Sequence, residues 1–133
     1  MMTGRECFDR AMKLLIIDDV VDYEPYALAQ LNALLQETFD VNNGLLLAAN
    51  KKPLEVAPVM ASLDEQIPYE EPLVSRALPY GLAAKAYMDD DVGLAQQYQA
   101  WFVSYVNSCM VLLPGTVNDL YADDLVEDVE VVE

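Results

Sequence analysis

The stretch that decides the fold is residues 73–106, LVSRALPYGLAAKAYMDDDVGLAQQYQAWFVSYV, in which two apolar segments flank three consecutive aspartates. Before the aspartates, apolar side chains occupy nearly every side of a helix, and Pro79 in the middle predicts a kink. After them, apolar side chains recur every three or four residues as far as Met110. The sequence therefore predicts two helices, over residues 70–88 and 91–110, folded back on each other.

The aspartates between these helices, Asp89, Asp90 and Asp91, are predicted to form a turn. An aspartate that precedes a helix accepts hydrogen bonds from the free backbone N–H groups of the first turn, so we expect Asp91 to cap the last helix. A metal site is the alternative, but the glycine and closing glutamate of an EF-hand are missing from the spacing.

Aromatic side chains recur at helical spacing on the last helix, including Tyr98, Trp101 and Tyr105. A platform for stacking nucleobases would need cations nearby, and the chain has none after Lys85. We therefore expect these aromatic side chains, Trp101 included, to fill the core.

Two further helices are predicted in the first half, over residues 4–17 and 23–50. Thr3 and Glu6 have the spacing of a capping box, and Asp22 stands where the second helix would take its N-cap, with Pro25 in the first turn. An end at Asn43-Gly44 is the alternative for the second helix, but the apolar pattern continues beyond it.

A central loop over residues 51–68 interrupts the helical pattern, because three prolines exclude a helix there. A loop of this length in a compact domain is typically functional or bound to a partner. Leu63 and Ile67 are expected to hold the loop against the helices. Together with Val56 and Val59, they are candidates for a contact with neighbouring subunits or a partner protein.

The last residues form an acidic C-terminal arm, predicted over residues 111–133, after a helical domain of residues 1–110. Apolar and acidic residues nearly alternate in it, which is typical of a strand and of little use to a helical core. Two interpretations remain open, a frayed tail and an arm that orders on a neighbour. Its candidate contact residues are Val126, Val129, Val131 and Val132.

Charge is the abnormal property of this 133-residue chain, which has a net charge of -16. All seven basic residues lie at or before Lys85, and ten carboxylates follow. The part of the chain after Lys85 is therefore a poor candidate for binding nucleic acid, since carboxylates repel phosphate. No apolar run approaches the roughly 20 residues that span a bilayer, and the charged N-terminus does not resemble a signal peptide.

The sequence contains no recognisable catalytic, metal-binding or nucleotide-binding motif. The chain has no histidine, which removes the commonest general base and most zinc sites. Cys7 and Cys109 lack the spacing of a metal or redox site, and we expect free buried thiols rather than a disulfide. The five glycines are scattered singly, unlike a nucleotide-binding loop. We expect no enzyme activity, no metal and no cofactor.

Two motifs carry a family resemblance. Residues 58–68 read PVMASLDEQIP and residues 77–84 read ALPYGLAA, followed by the three aspartates and an aromatic last helix. In this order they resemble the head-to-tail adaptor, or connector, proteins of the tailed-bacteriophage neck. The likeness covers roughly residues 12–106.

The resemblance implies an all-α subunit that forms a homo-oligomeric ring, typically of twelve copies, between the portal protein and an adjacent tail or neck protein. Such a ring continues the DNA channel without reading its sequence, belongs to the virion and assembles in the host cytoplasm. Asp89, Asp90 and Asp91 are candidates for an acidic channel lining. The alternative is a small acidic inhibitor that mimics DNA and binds a basic host protein.

Overall fold

The computed structural model describes residues 1–111, which form six α-helices joined by a long central loop. The helices are α1 (Gly4–Leu14), α2 (Glu24–Glu37), α3 (Phe39–Ala48), α4 (Glu71–Arg76), α5 (Leu78–Ala86) and α6 (Val92–Val111). The prediction of an all-α bundle is confirmed, with six helices where the periodicity predicts four. The predicted contact valines of the acidic arm, Val126, Val129, Val131 and Val132, lie outside the described residues.

Helix α1 begins with the predicted capping box. The Thr3 hydroxyl accepts from the Glu6 N–H at 3.1 Å, and the Glu6 carboxylate accepts from the Thr3 N–H at 2.8 Å. The helix ends at Leu14 rather than at residue 17, because Ile16 takes a left-handed conformation with φ of 58°. The Ile17 N–H then donates to the Met12 carbonyl at 2.9 Å, which closes the helix end in a Schellman pattern.

The predicted helix over residues 23–50 is two helices, α2 and α3, which meet at Thr38. The buried Thr38 hydroxyl donates to the Leu34 carbonyl at 2.8 Å, and the Thr38 backbone leaves the helical region with φ of -106° and ψ of 12°. A hydroxyl bonded to the carbonyl four residues earlier bends a helix. The expected cap by Asp22 is also wrong, since Tyr23 occupies the N-cap position without a side-chain bond.

The predicted helix over residues 70–88 is likewise divided, into α4 and α5, at Ala77. Pro79 lies in the first turn of α5, where its missing N–H costs least, rather than at a kink in a continuous helix. In an unbroken helix the Ser75 carbonyl would lose its partner to the proline. Here that carbonyl accepts from the Arg10 guanidinium at 3.4 Å.

Helix α5 occupies the centre of the bundle and packs against α1, α2, α4 and α6. Its close approach to both sides depends on Gly81. A Cβ on Gly81 would lie 2.7 Å from the Leu34 side chain and 2.8 Å from the Phe102 ring. The small residue therefore lets α2 and α6 approach α5 from two directions.

The central loop is non-helical, as predicted, and is held by pairs of hydrogen bonds. The Asn43 side chain bonds both the N–H and the carbonyl of Leu54, at 2.9 Å each. The Asn32 side chain bonds the N–H and the carbonyl of Met60, at 2.8 and 3.0 Å. Farther along, Ile67 donates its N–H to the Met2 carbonyl at 2.9 Å. The loop is thus a fixed part of the domain.

Candidate interaction surfaces

Helix α6 carries six of the fourteen large apolar side chains that are exposed in the described part of the chain. The helix buries Ala95, Tyr98, Phe102 and Cys109, which all lie on one side of it. Large apolar side chains elsewhere on the helix are exposed, namely Val92, Leu94, Trp101, Val103, Tyr105 and Met110. None of the 20 residues of α6 carries a charge. The outer face of α6, as we use the term, is this set together with the exposed residues between them. Leu94, Trp101 and Tyr105 line one edge of this face, and Val92, Val103 and Met110 line the other.

The expectation that the aromatic side chains of the last helix fill the core holds for Tyr98, which is buried, and is wrong for Trp101 and Tyr105, which are 42 % and 36 % exposed. Trp101 and Tyr105 instead belong to a surface aromatic cluster with residues of α5 and α6. Tyr80 stacks on Tyr105 with ring centroids 4.8 Å apart, and Trp101 meets Tyr98 edge-on at 5.1 Å. Tyr98 alone reaches inward, where its hydroxyl donates to the Leu14 carbonyl at 2.6 Å.

A second surface is an acidic end, where two acidic segments meet. Asp22, from the connector between α1 and α2, lines the same cleft of about 260 Å³ as Asp89 and Asp90 from the turn before α6. Asp18 and Asp19 precede on the connector, Asp91 completes the turn, and all six aspartates are exposed. Sequence reasoning missed this meeting, because nothing local connects segments about 70 residues apart.

Hydrogen bonds fix the turn at the acidic end. Tyr23 donates its hydroxyl to the Asp90 carboxylate at 2.5 Å, and this bond raises the pKa of Tyr23 to about 12. The Asp91 carboxylate accepts from the Leu94 N–H at 3.1 Å, which confirms the predicted cap. Lys85 also lines the cleft, and its ammonium forms a 2.7 Å ion pair with Glu37. The aspartates themselves remain open to solvent.

The central loop provides a third surface through two of its four predicted contact residues. Val56 and Val59 are each 75 % exposed. Leu63 and Ile67 are 7 % and 0 % exposed, so they hold the loop against the core, as expected, and do not present a contact surface on this subunit. Exposure distinguishes the two pairs, although all four are apolar residues of one loop.

Two further features of residues 1–111 bear on chemistry, namely possible metal ligands and the two cysteine thiols. Groups of three or more side chains suited to holding a metal ion do not occur in this range. Both cysteines are buried and free, and burial raises the pKa of Cys7 to about 12, which keeps its thiol protonated and poorly nucleophilic. In the same range, none of the helices has the length and apolarity to cross a bilayer.

Comparison with known proteins returns no match to a family model, a curated protein or a solved structure. The sequence motifs described above lie in residues 58–68 and 77–91, and the aromatic residues of α6 follow them. In the fold, these two segments form the end of the central loop and the α5–α6 hairpin.

Proposed function

We propose that this protein is a non-enzymatic structural subunit of a phage neck ring, which joins the portal protein to the tail and continues the DNA channel. The observation that carries the proposal is the outer face of α6. Folding buries one side of this helix and leaves six large apolar side chains in water. Along one edge of the helix the exposed side chains form a continuous patch, because Trp101 and Tyr105 pack with Tyr80 of α5, and such a patch is typical of a protein contact.

The acidic end suits a channel lining in this proposal. DNA that passes through the ring must slide without binding, and carboxylates repel phosphate over about 10 Å at 0.1 M salt. The acidic end adjoins the first turn of α6, and a helix of 20 residues is about 30 Å long. One end of α6 would thus face DNA, while its length remains available to protein neighbours.

Portal binding is assigned to the acidic arm by the family resemblance. Val126, Val129, Val131 and Val132 would add to a portal surface as an extended segment, which is a common way to recruit an otherwise separate chain. The proposal places the assembled ring, with twelve copies as the family pattern, in the neck of the virion.

Native mass measurement of the full chain, alone and mixed with the portal protein of the same phage, tests this function. We expect a ring of many copies on the portal, and none with a chain that ends at Leu125. A matched control replaces the four arm valines by threonine and retains the length and charge of the arm. A wild-type chain that stays monomeric and leaves the portal unbound would refute the proposal.

The acidic end favours one competing function, mimicry of DNA charge toward a basic host protein. All six aspartates of the acidic end are exposed, and Asp22, Asp89 and Asp90 line one cleft, so this end offers negative charge from two segments of the chain. A pull-down from host lysate separates the two functions. A mimic recovers a DNA-binding protein that salt releases, and the triple change of Asp89, Asp90 and Asp91 to Asn abolishes the recovery.

A further inference from the structure

We infer that neighbouring copies of this chain contact each other head to tail, with the central loop of one copy seated on the outer face of α6 of the next. The inference rests on the proposed function, because it names the two surfaces through which the ring would close. Its two halves are Val56 and Val59 on the loop and the aromatic cluster with its exposed neighbours on α6.

Charge restricts where two copies can touch. Each chain carries a net charge of -16, so most pairs of surfaces repel one another. The outer face of α6 has no charged residue. The part of the loop that carries Val56 and Val59, residues 51–61, contains two lysines and one glutamate, so it is not acidic, whereas Asp64 and Glu65 lie farther along the loop. Pairing these two regions brings the subunits together where repulsion is weakest.

The loop is already fixed in the free subunit, which lowers the entropy lost on binding. Asn43 and Asn32 hold it at Leu54 and Met60, and each side chain makes two hydrogen bonds. Between these two points, the side chains of Val56 and Val59 are exposed. A segment held at both ends behaves as a formed ridge rather than as a strand that must order on contact.

The two surfaces also match in chemistry. The projecting segment contains Pro58 between two exposed valines, and Pro53 precedes it. Proline-containing segments dock on grooves lined by aromatic rings, because the restricted backbone loses little freedom and the rings offer flat apolar area. Trp101 and Tyr105 provide such rings on the outer face of α6, and Tyr80 of α5 packs beside them.

Contact between two different surfaces has a consequence for symmetry. A patch that binds itself gives a two-fold dimer and stops, whereas a patch that binds a different patch repeats around a ring. The loop is held by α2 and α3, while α6 packs chiefly on α5. Each copy therefore offers one surface of each kind, as a closed ring requires.

The test blocks each surface separately in the full chain and measures association by sedimentation velocity. Ala100→Glu puts a charge in the middle of the outer face of α6, and Val59→Glu puts one on the loop. Val21→Glu is the matched control, since Val21 is 69 % exposed on the connector and the change in net charge is the same. Far-UV circular dichroism checks that all three variants retain wild-type helicity.

Wild type and the control are expected to associate reversibly between about 10 µM and 1 mM, in the range of a weak contact. The association constant should rise on the order of tenfold from 0.05 to 0.5 M salt, because salt screens repulsion between the acidic copies. Each blocked variant alone should remain monomeric. An equimolar mixture of the two should form a pair and grow no further, since one intact surface of each kind remains.

Two results would overturn the inference. One is a wild-type chain that remains monomeric at 1 mM in 0.5 M salt. The other is a loop variant that associates like wild type while only the α6 variant fails, because α6 would then bind itself. Rings that form on the portal with both blocked variants refute the inference and leave the proposed function standing. If the variants associate as predicted here but the wild-type chain does not bind the portal, the inference stands and the proposed function is refuted.

Discussion

Helices α5 and α6 have similar apolar compositions, yet the fold uses them differently. Helix α5 buries six of its nine residues and packs against four other helices. Helix α6 buries one side and exposes six large apolar side chains. The difference lies in position, since α5 is central and α6 covers it from outside.

Folding buries most of the apolar surface of α5 and leaves part of the apolar surface of α6 exposed to water. Burial of apolar area stabilises a fold by about 25 cal/mol per Å² only where the area leaves water. Side chains such as Val103 and Met110 make little of that contribution in the free subunit. Under the proposed function, this exposed apolar surface is where a neighbouring protein would bind.

The largest expected effect is at the contact between the two helices. Phe102→Ala should lower the free energy of unfolding by about 3–5 kcal/mol, because it removes a ring that is 4 % exposed and packs over Gly81. Its neighbour Val103, 45 % exposed, is the control, and Val103→Ala should cost less than about 1 kcal/mol. Urea denaturation measures both. Similar losses would mean that α6 is buried on both sides.

Trp101→Ala should have an intermediate effect. Complete burial would give a loss of about 3–5 kcal/mol, but the 42 % exposure of Trp101 and its packing on surface tyrosines reduce the expected loss to about 2 kcal/mol. Urea denaturation beside the Phe102 variant ranks the two. If the Trp101 variant loses as much free energy of unfolding as the Phe102 variant, or more, Trp101 must be buried in the core.

Ile16→Gly should stabilise the protein by about 1 kcal/mol, in contrast to the α6 substitutions. Ile16 is 89 % exposed and has a φ of 58°, a conformation that costs a β-branched residue about 1–2 kcal/mol. Asn50, with φ of 59° at the end of α3, is the matched site, and Asn50→Gly should change stability less. Thermal unfolding compares them, and a less stable Ile16 variant would show that the side chain contributes packing.

Deletion of residues 126–133 should have the smallest effect on stability. The alternating apolar and acidic sequence of these residues does not suit a helical core. Helicity should therefore match that of the full chain, and the free energy of unfolding should change by less than about 0.5 kcal/mol. Circular dichroism and thermal unfolding measure both. A large fall in melting temperature would show that the arm belongs to the fold.

The sequence predicts the helices well and their breaks poorly. Apolar spacing, the capping box at Thr3 and the cap at Asp91 are local signals, and all are confirmed. The break at Ala77 depends on a tertiary contact, since the Ser75 carbonyl accepts from Arg10, which is 65 residues away. The break at Thr38 is local, since its hydroxyl bonds the Leu34 carbonyl one turn earlier, but a threonine within an apolar stripe is no clear signal of a bend. Local pattern continues smoothly through both positions.

The sequence does not predict which side chains of α6 are exposed, for a different reason. Its apolar residues point in every direction around the helix, so periodicity does not identify the buried side. The meeting of Asp22 with Asp90 at the acidic end depends on the path of the whole chain. By contrast, the loop prolines and the pairing of Leu63 and Ile67 with the core follow from local chemistry and length.

Fluorescence of the single tryptophan tests the central claim most directly, because Trp101 reports on the outer face of α6. Acrylamide, a neutral quencher, is titrated into the free subunit and into the assembled ring on the portal. We predict that acrylamide quenches Trp101 strongly in the free subunit and weakly in the ring. The arm-deleted chain should be quenched as strongly as the free subunit, both alone and when mixed with the portal. Protection already in the free subunit, or equal quenching in subunit and ring, would contradict the account.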